Sequence, residues 1–295
     1  MTFSFIIVNW NVRELLEKCL LSIEKFNSHF SYEIIVADNA SMDGSIAMMR
    51  ERFPLINLIA NTKNLGFAAG INQGIKQARG EYAVLLNPDV EIMESTLKNL
   101  LEEFEKSADS GIVGGKIKNE DGSIQPSVRS FPDVFTQVLI TLKLNHIFNS
   151  RAIGRYLAKN FDYEKRQEVD QVMGAFFAIR RKVIKQIGMM DERFFLWFEE
   201  VDFCKRAKDA GWKIIYTPKT EVIHLGGKSF GQISSAKRQM IFNESLRYYM
   251  RKHKGIFIWL IFALIHPASI ALAFITGIFH PKLSSYKARV MNHES

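Results

Sequence analysis

The first half of the chain alternates between short, continuously apolar runs and segments in which apolar residues recur every three or four positions. The runs predict strands buried on both faces, and the periodic segments predict helices. Asn11, with Glu14 three residues later, predicts a capping box at the start of the first helix. Strands are predicted at 3–8, 32–37, 55–60 and 82–86, and further helices at 43–53, 67–78 and 93–106. This βαβα order predicts a mainly parallel sheet with helices on both faces.

The second half of the chain is less regular. Residues 116–170 have weak periodicity, and we interpret them as an insertion or a flexible region. Regular structure is predicted to resume with a strand at 172–179, helices at 180–187 and 199–210, and a strand at 213–217. We therefore interpret residues 1–250 as one large α/β domain and residues 251–295 as a separate C-terminal segment.

Residues 256–279 form a run of 24 residues without a charged side chain, interrupted only by His266-Pro267. A straight helix of this length spans about 36 Å, against about 30 Å for the hydrocarbon core of a bilayer. Pro267 would remove a helix hydrogen bond, and basic residues flank both ends, so a single crossing and a hairpin dipping into one leaflet both stay open. The flanking residues are Arg251, Lys252 and Lys254 before the run and Lys282, Lys287 and Arg289 after it. We expect membrane association rather than a buried core helix.

Composition narrows the class of protein. The chain has 295 residues and is 47% hydrophobic, which is enough apolar material for a sizeable core. Its formal charge of +8 suits nucleic acid, an anionic membrane surface or an anionic substrate. No zinc-finger spacing or RNA-binding signature accompanies the charge, so nucleic acid is the weaker interpretation. The two cysteines, Cys19 and Cys204, occupy apolar positions of predicted helices, which favours a reducing compartment.

Asp89 occupies the most informative position in the chain. The apolar run 82–86 ends in Asn87-Pro88-Asp89, which places a carboxylate just beyond the carboxyl end of a buried strand. Open α/β sheets bind their ligands there, and a carboxylate can hold a divalent cation against a phosphate. A plain turn is the alternative, because all three residue types favour turns. His224 follows another predicted strand and would be a sensible second ligand for such a cation.

Other polar residues follow the first two predicted strands. Asn9 and Trp10 end the first strand after Val8, and Asp38 emerges from the second. Ordinary strand-to-helix turns would have the same residues. In residues 61–74, small side chains would let a helix start approach either a phosphate or a neighbouring strand.

A cluster of acids opens the predicted helix at 199–210. Glu199, Glu200 and Asp202 follow the aromatic residue Trp197 and its neighbours. Acids in a first helical turn often only complement the helix dipole. Crowded carboxylates also raise one another's pKa, which suits a general base, and Trp197 could offer an apolar platform for a sugar face.

Together and in this order, these segments resemble the family 2 glycosyltransferases with the GT-A fold, and in particular the bacterial rhamnosyltransferase-like branch. The resemblance covers about residues 2–254. It implies a Rossmann-like, mainly parallel sheet flanked by helices. It also implies a site in which Val8, Asn9, Trp10 and Asp38 hold the nucleobase and ribose, while Asn64, Gly66, Asn72 and Asn87 flank the rest of the nucleotide sugar.

The resemblance also assigns the chemistry. Asp89 matches the retained acid of the family's Asp-x-Asp metal motif, with Asn87 in place of the first acid. His224 matches a second ligand for Mg²⁺ or Mn²⁺. Glu200 matches the catalytic base, with Glu199 and Asp202 beside it, and Trp197 lies toward the acceptor.

The implied function is an inverting transfer of a sugar, rhamnose by analogy, from a nucleoside-diphosphate sugar to a lipid-linked or polysaccharide acceptor in cell-surface glycan synthesis. The acceptor would be met at the cytoplasmic face of the inner membrane, to which residues 256–279 would anchor the protein. In this interpretation residues 116–170 contribute to the acceptor region. The alternative is a non-catalytic nucleotide-sugar-binding membrane protein on the same fold.

Overall fold

The computed structural model describes residues 1–26, 30–146, 150–226 and 232–279. Its strands are β1 (Phe3–Asn9), β2 (Tyr32–Asp38), β3 (Asn57–Ala60), β4 (Tyr82–Leu86), β5 (Val90–Ile92), β6 (Ser110–Lys118), β7 (Ile124–Gln125), β8 (Val128–Arg129), β9 (Gln167–Glu168), β10 (Gln171–Val172), β11 (Phe176–Arg180) and β12 (Lys213–His224). Its α-helices are α1 (Arg13–Phe26), α2 (Ser45–Arg52), α3 (Phe67–Gln77), α4 (Thr96–Lys106), α5 (Val134–Thr141), α6 (Arg151–Tyr156), α7 (Arg181–Ile187), α8 (Glu199–Asp209), α9 (Ser235–Lys254) and α10 (Ile256–Phe279).

The central sheet has the strand order β3-β2-β1-β4-β11-β6-β12-β5. The strands β3, β2, β1 and β4 are parallel, as are β6 and β12. The strand β11 lies antiparallel between β4 and β6, and β5 is antiparallel to β12. The predicted α/β fold with a mainly parallel sheet is therefore confirmed, with the antiparallel strands β11 and β5 added beyond β4.

Apolar side chains cover both faces of this sheet. One core packs α1, α2 and α4 against it and includes Cys19 and Leu100; the other packs α3 and α8 and includes Ile71 and Cys204. Both cysteines are free and buried, as their apolar positions predicted. The strands are continuous apolar runs because each is covered from both sides.

Two local predictions were wrong. Asn11 does not cap α1, because its backbone has a φ of 52° and its Oδ1 accepts a hydrogen bond from the Met42 amide across the neighbouring loop. Asp43 supplies the cap instead, its Oδ2 accepting from the Arg13 amide at 2.7 Å. The helix after β4 also begins later than predicted, at Thr96, because a turn separates it from β5.

The region 116–170 is far more regular than predicted. Its first residues belong to β6, a strand in the middle of the sheet, and β7 pairs with β6. Further along, β8 pairs with β10 in a separate two-stranded sheet, and α5 and α6 follow. Periodicity was weak here because the strands are only two residues long and the helices six to eight.

At the C-terminal end, α9 and α10 pack against each other. The predicted boundary at residue 250 falls inside α9. In the described residues one helix is long and apolar enough to cross a membrane, over Ile256–Ile275, with a mean hydropathy of 2.2. It runs through Pro267 without a break, so the hairpin, one of the two arrangements left open above, is not formed in the described residues. The second basic flank, Lys282, Lys287 and Arg289, lies outside the described residues.

Candidate functional site

Two of the predicted polar residues meet where β1 and β2 end. The strand register sets Asn9 opposite Asp38, and the Asn9 Nδ2 donates to Asp38 Oδ2 at 2.7 Å. The other oxygen, Asp38 Oδ1, accepts from the Ser41 amide at 2.8 Å. Both side chains are fully buried, and within the described residues Asn9 Oδ1 has no partner. The hydrogen-bonded pair forms the polar floor of the site, in which Asn9 Oδ1 is an acceptor without a partner among the described residues.

Val8 and Trp10 flank that floor. The position of a Cβ on Gly70 would lie 2.8 Å from Val8 Cγ2, so the Val8 side chain packs tightly on α3 and leaves only its backbone for a ligand. A Cβ on Gly74 would likewise meet Ile6 at 2.4 Å. The small residues of this helix therefore serve close helix–strand packing. Trp10 is half-buried just beyond the strand.

Gly66 ties the start of α3 to the aromatic loop before α8. Its φ is 88°, and a Cβ there would lie 2.5 Å from the Phe195 carbonyl oxygen, so glycine is required on both counts. Asn64 Oδ1 accepts from the Gly66 amide at 2.9 Å, and Asn39 Nδ2 donates to the Gly66 carbonyl at 3.1 Å. The Phe67 amide donates to the Phe195 carbonyl at 2.8 Å, which joins the two sides of the site.

Asn72 is not part of this site, contrary to the prediction. Its Nδ2 donates to the Met190 carbonyl at 2.8 Å and to Glu192 Oε1 at 2.9 Å, and its Oδ1 accepts from the Met190 amide at 3.0 Å. The side chain is buried, and both of its polar atoms are occupied. It fixes the turn after α7 onto α3 and has no donor left for a nucleotide.

Asp89 and His224 lie together as predicted, because β5 pairs with β12 and sets His224 opposite Val90. His224 Nε2 is 3.2 Å from Asp89 Oδ1, and both side chains are almost fully buried. Gln125 was missed by the sequence analysis: its Oε1 lies 2.6 Å from His224 Nδ1, and its Nε2 donates to Asn119 Oδ1 at 3.2 Å.

This arrangement fits a divalent cation. Because Asn119 fixes the Gln125 amide, Gln125 Oε1 faces the His224 ring and accepts the proton on Nδ1. In the neutral ring, Nε2 then presents a lone pair to the Asp89 carboxylate, a contact that a shared cation would make favourable. Carboxylate and imidazole are both ligands of Mn²⁺. The described residues include no group of three or more His, Cys, Asp or Glu side chains placed to hold a metal ion, so phosphate oxygens and water would complete the coordination.

Asn87 keeps the loop in place through its backbone. Its amide donates to the Ala175 carbonyl at 3.0 Å, and its carbonyl accepts from the Val90 amide. The side chain is half-buried. This residue therefore holds the turn that presents Asp89.

Glu199 and Glu200 are placed by a strained turn. Trp197 and Phe198, immediately before α8, have φ values of 65° and 68°. Bulky residues rarely adopt this left-handed conformation, which costs about 1–3 kcal/mol each and is concentrated at functional sites. The turn starts α8 so that Glu199 is buried and Glu200 nearly so.

Glu199 and Glu200 are interacting carboxyl groups, and the pKa of each is raised. Burial raises the pKa of Glu199 well above its usual range, and the charge of Glu200 raises it further. Burial also raises the pKa of Glu200, while backbone hydrogen bonds and the charge of Arg129 work against the rise. The hydrogen bond between the two side chains raises the pKa of Glu199 and lowers that of Glu200, so Glu199 is the partner that holds a proton more tightly. In the described part of the chain, Oε2 of each glutamate is buried without a hydrogen-bond partner.

Glu200, in the first turn of α8, and the loop that presents Asp89 both contact the segment 174–175. The Glu200 side chain lies over Gly174, whose Cβ position is 3.8 Å from Glu200 Cδ. The next residue, Ala175, accepts the hydrogen bond from Asn87 in the loop that presents Asp89. Since β11 runs antiparallel to β4, the start of one strand meets the end of the other at this edge of the sheet.

The strand β8 adds residues that the sequence analysis missed. Arg129 pairs with Gln171 of β10 and is close enough to Glu200 for its charge to lower the pKa of that carboxyl. Ser127 is buried, and within the described residues its Oγ has no partner. These residues belong to β8 and the turn before it, and strands this short give no periodic signal in the sequence.

Asp202 is a structural anchor and was wrongly grouped with the catalytic acids. It is fully buried, and its carboxylate accepts from Arg206 Nε at 2.8 Å and lies 2.7 Å from Lys252 Nζ and 2.8 Å from His253 Nε2. Burial alone would raise the pKa of Asp202. Hydrogen bonds from His253, Lys252 and Arg206 lower it by more than burial raises it, so the pKa lies below the usual range. The carboxylate joins α8 to α9 and has no oxygen free to accept a substrate proton.

Trp197 belongs to an aromatic cluster beside the glutamates. Its ring meets Phe242 of α9 edge-on, with centroids 6.0 Å apart, and Phe194 and Phe198 pack in the same cluster. The ring is half-buried, so it presents part of its surface. Such a face can stack on a sugar ring.

Comparison with known proteins agrees with this geometry. The family model described as Glycosyl transferase family 2 matches residues 4–188. The N-acetylglucosaminyl-diphospho-decaprenol L-rhamnosyltransferase of Mycobacterium tuberculosis is 26% identical over 234 residues, which cover 75% of this chain and 76% of the relative. The rhamnosyltransferase WbbL of Escherichia coli is 22% identical over 255 residues, covering 84% of this chain and 92% of the relative.

One solved structure is similar over nearly the whole chain. The mannosyltransferase PcManGT from Pyrobaculum calidifontis, in complex with GDP-Man and Mn²⁺, has a TM-score of 0.57 and 18% sequence identity. The match covers 98% of this chain and 79% of that one. The likeness confirms the expected GT-A-like fold.

Proposed function

Because this chain belongs to glycosyl transferase family 2, we propose that it transfers a sugar from a nucleoside-diphosphate sugar to a polyprenyl-diphosphate-linked acceptor with inversion at the anomeric carbon. Membership of the family makes the protein an enzyme, which removes the alternative of a non-catalytic nucleotide-sugar-binding protein. The observation that carries the proposal is the Glu200 carboxylate, whose buried Oε2 has no partner among the described residues and which lies beside the loop that presents Asp89.

In the proposed reaction, Glu200 takes the proton from the acceptor hydroxyl as its oxygen attacks the anomeric carbon. The bond between that carbon and the diphosphate oxygen breaks on the opposite face, and the nucleoside diphosphate departs with the electron pair. Glu199 keeps its own proton and hydrogen-bonds to Glu200, which holds the base in one orientation. The positive charge of Arg129 opposes the rise in the pKa of Glu200 that burial causes, and so favours the ionised base.

The donor would lie along the carboxyl ends of β1, β2 and β4. Asn9 Oδ1 and the backbone of Val8 offer acceptors to a nucleobase, Trp10 borders it, and Asp38 faces the ribose. The turn formed by Asn64 and Gly66 and the side chain of Asn87 flank the remainder of the nucleotide sugar. Asp89 and His224 would hold Mn²⁺ or Mg²⁺, which supplies positive charge to the departing diphosphate.

The acceptor would approach from the side of α8, with its sugar face on Trp197. Two similar proteins are named rhamnosyltransferases, and the name of one specifies N-acetylglucosaminyl-diphospho-decaprenol. These names support rhamnose as the sugar and a polyprenyl diphosphate as the acceptor carrier. Such an acceptor is reached at a bilayer, so we assign the protein to the cytoplasmic face of the inner membrane through α10.

A donor screen tests the proposal. The full chain is heated with UDP-, dTDP- and GDP-sugars, with and without Mn²⁺, and the unfolding temperature is compared. We expect one nucleobase to stabilise the protein selectively and only when Mn²⁺ is present. The stabilising donor is then incubated with polyprenyl-diphospho-N-acetylglucosamine, and labelled sugar is measured in the organic extract. Stabilisation by no donor, together with no transfer, would overturn the proposal.

A further inference from the structure

One long face of α10 is buried against the rest of the protein, and the opposite face is exposed. One face packs on α9 and the aromatic cluster and includes Phe262, Ser269 and Ala273, all nearly inaccessible. The other face carries the large apolar side chains Phe257, Leu260, Ile261, Leu264, Phe274 and Ile275, which we call the docking stripe. Phe257 and Leu264 are each 80% exposed. A continuous exposed apolar stripe of this kind indicates a surface that binds a membrane or another protein.

Specific contacts hold α10 along α9. The Asn243 Nδ2 donates to Ser269 Oγ at 3.2 Å in the buried interface. The guanidinium of Arg247 lies 5.3 Å from the centroid of the Trp259 ring. From the turn after α5, Lys143 Nζ donates to the Leu272 carbonyl at 2.5 Å. These polar contacts fix the rotation of α10 and therefore the direction in which the docking stripe faces.

This packing argues against a helix that crosses the bilayer. A crossing of α10 would carry α9 with it, because the two helices contact each other along their length. Exposed charges on α9, such as Lys237, Glu244 and Arg251, would then enter the hydrocarbon core. Charged side chains at that depth are strongly unfavourable. A helix lying in the plane of the membrane surface keeps α9 in water and places only the stripe among the acyl chains.

Charge identifies the occupant as an anionic lipid surface rather than a second copy of the chain. Arg251 and Lys254 are exposed at the end of α9, directly before the docking stripe begins. No acidic residue occurs in α10, and the chain as a whole carries a formal charge of +8. Two such copies would repel each other, whereas anionic headgroups attract both basic residues.

We propose that α10 is an in-plane docking helix whose exposed stripe inserts into the headgroup–acyl boundary of an anionic bilayer. Its buried face shares one hydrophobic cluster with α9 and with Phe194 and Phe198, the second of which directly follows Trp197, so a docked α10 brings the acceptor side close to the bilayer surface. A lipid-linked sugar could then reach Glu200 while its polyprenyl chain stays in the membrane. This role rests on the proposed function, but the docking itself does not.

Vesicle flotation of the full chain tests the docking. We expect binding to phosphatidylglycerol-containing vesicles, weaker binding to phosphatidylcholine alone, and at least a tenfold loss in the double variant Phe257→Ser, Leu264→Ser. Leu55→Ser is the matched control, because Leu55 is 98% exposed on a different surface and should not matter. Arg251→Gln with Lys254→Gln should remove the preference for the anionic lipid. Equal flotation of the stripe variant and the control would overturn the proposal.

Depth measurements separate an in-plane helix from a crossing one. A fluorophore on Phe257→Cys, Leu264→Cys or Phe274→Cys is quenched by lipids labelled at different depths; Cys19 and Cys204 are buried and label poorly. The proposal requires similar, shallow depths at all three positions. A label at position 264 near the bilayer midplane would overturn it, as would a dimer that the stripe substitutions dissolve without any vesicle binding. Donor hydrolysis without vesicles reports on the proposed function separately.

Discussion

The two sides of the site differ in how the chain builds them. On the donor side, Asn9, Asp38 and Asp89 each stand at or just beyond the end of a parallel strand, so strand pairing alone brings them together. On the acceptor side, Arg129 and Glu200 come from a two-residue strand and a helix start that lie far apart in sequence. The first side follows from local pattern, and the second requires the whole tertiary structure.

Electrostatics separate the two sides as well. Both oxygens of Asp38 accept hydrogen bonds, which makes it a fixed binding group. Glu199 and Glu200 instead keep a buried oxygen each without a partner in the described residues, and burial raises the pKa of both. Unpaired buried carboxylates are unfavourable for stability and are retained where protons must move. The donor side therefore has groups suited to binding substrate, and the acceptor side has groups suited to proton transfer.

The largest effect is expected from Glu200→Gln, which removes the base and preserves size. The turnover number should fall about 10²–10⁴-fold, because general-base catalysis contributes that much, while donor affinity is unchanged. Single-turnover transfer and donor titration measure the two quantities. Full activity in this variant would remove Glu200 from the mechanism.

Glu199→Gln is the matched control for that experiment. A glutamine still donates a hydrogen bond to Glu200, so activity should fall less than tenfold. Because the folded-state pKa of Glu199 is raised, its contribution to stability is present at low pH and is lost as pH rises through that pKa. The variant cannot ionise and should match or exceed the parent protein in stability at pH 8. A loss of activity equal to that of Glu200→Gln would mean that the roles of the two glutamates are reversed.

Asp202→Asn should act on stability and leave the chemistry nearly intact. Removing one member of a buried charge network is expected to lower the free energy of unfolding by about 2–4 kcal/mol, with Arg206, Lys252 and His253 losing a partner. The folded-state pKa of Asp202 is lowered, so its stabilisation is full above about pH 4 and disappears as pH falls further. Urea unfolding at two pH values measures this. A large fall in turnover with unchanged stability would return Asp202 to the catalytic group.

A smaller effect is expected from Gln125→Leu, which removes the group that orients His224. Partners of metal ligands of this kind contribute about 10–100-fold to metal affinity. Mn²⁺ titration in the presence of the donor nucleotide measures the change. Gln167→Leu is a suitable control, since Gln167 lies in β9 and its Nε2 donates to the Asp162 carbonyl at 3.0 Å. Equal Mn²⁺ affinity in both variants would exclude His224 as a ligand.

The contrast between the two sides also explains how far the sequence could be interpreted. Continuous apolar runs predicted β1, β2 and β4 and, with them, the polar residues at their ends. Asn72 and Asp202 were assigned wrongly because residue type and spacing indicate a polar group but not its partners. Asn72 bonds to Met190, 118 positions away, and Asp202 bonds to His253, 51 positions away, as well as to Arg206 in the same helix. Gln125 and Arg129 were missed because two-residue strands have no detectable period. Even the correctly placed pair, Asp89 and His224, depended on the unpredicted strand β5.

The smallest expected effect tests the link between β8 and the catalytic acid. The charge of Arg129 lowers the pKa of Glu200, so Arg129→Gln should raise that pKa and move the acidic limb of the pH profile of kcat/KM toward higher pH. Turnover at the alkaline plateau should be nearly unchanged, because a Glu200 that is fully ionised there needs no help. Arg129→Lys restores the charge and should restore the limb. If both variants instead raise the KM for the lipid-linked acceptor and leave the limb in place, Arg129 binds the acceptor diphosphate and does not tune the base. That result would extend substrate binding to the acceptor side. It would weaken the division between a donor side that binds substrate and an acceptor side that transfers the proton.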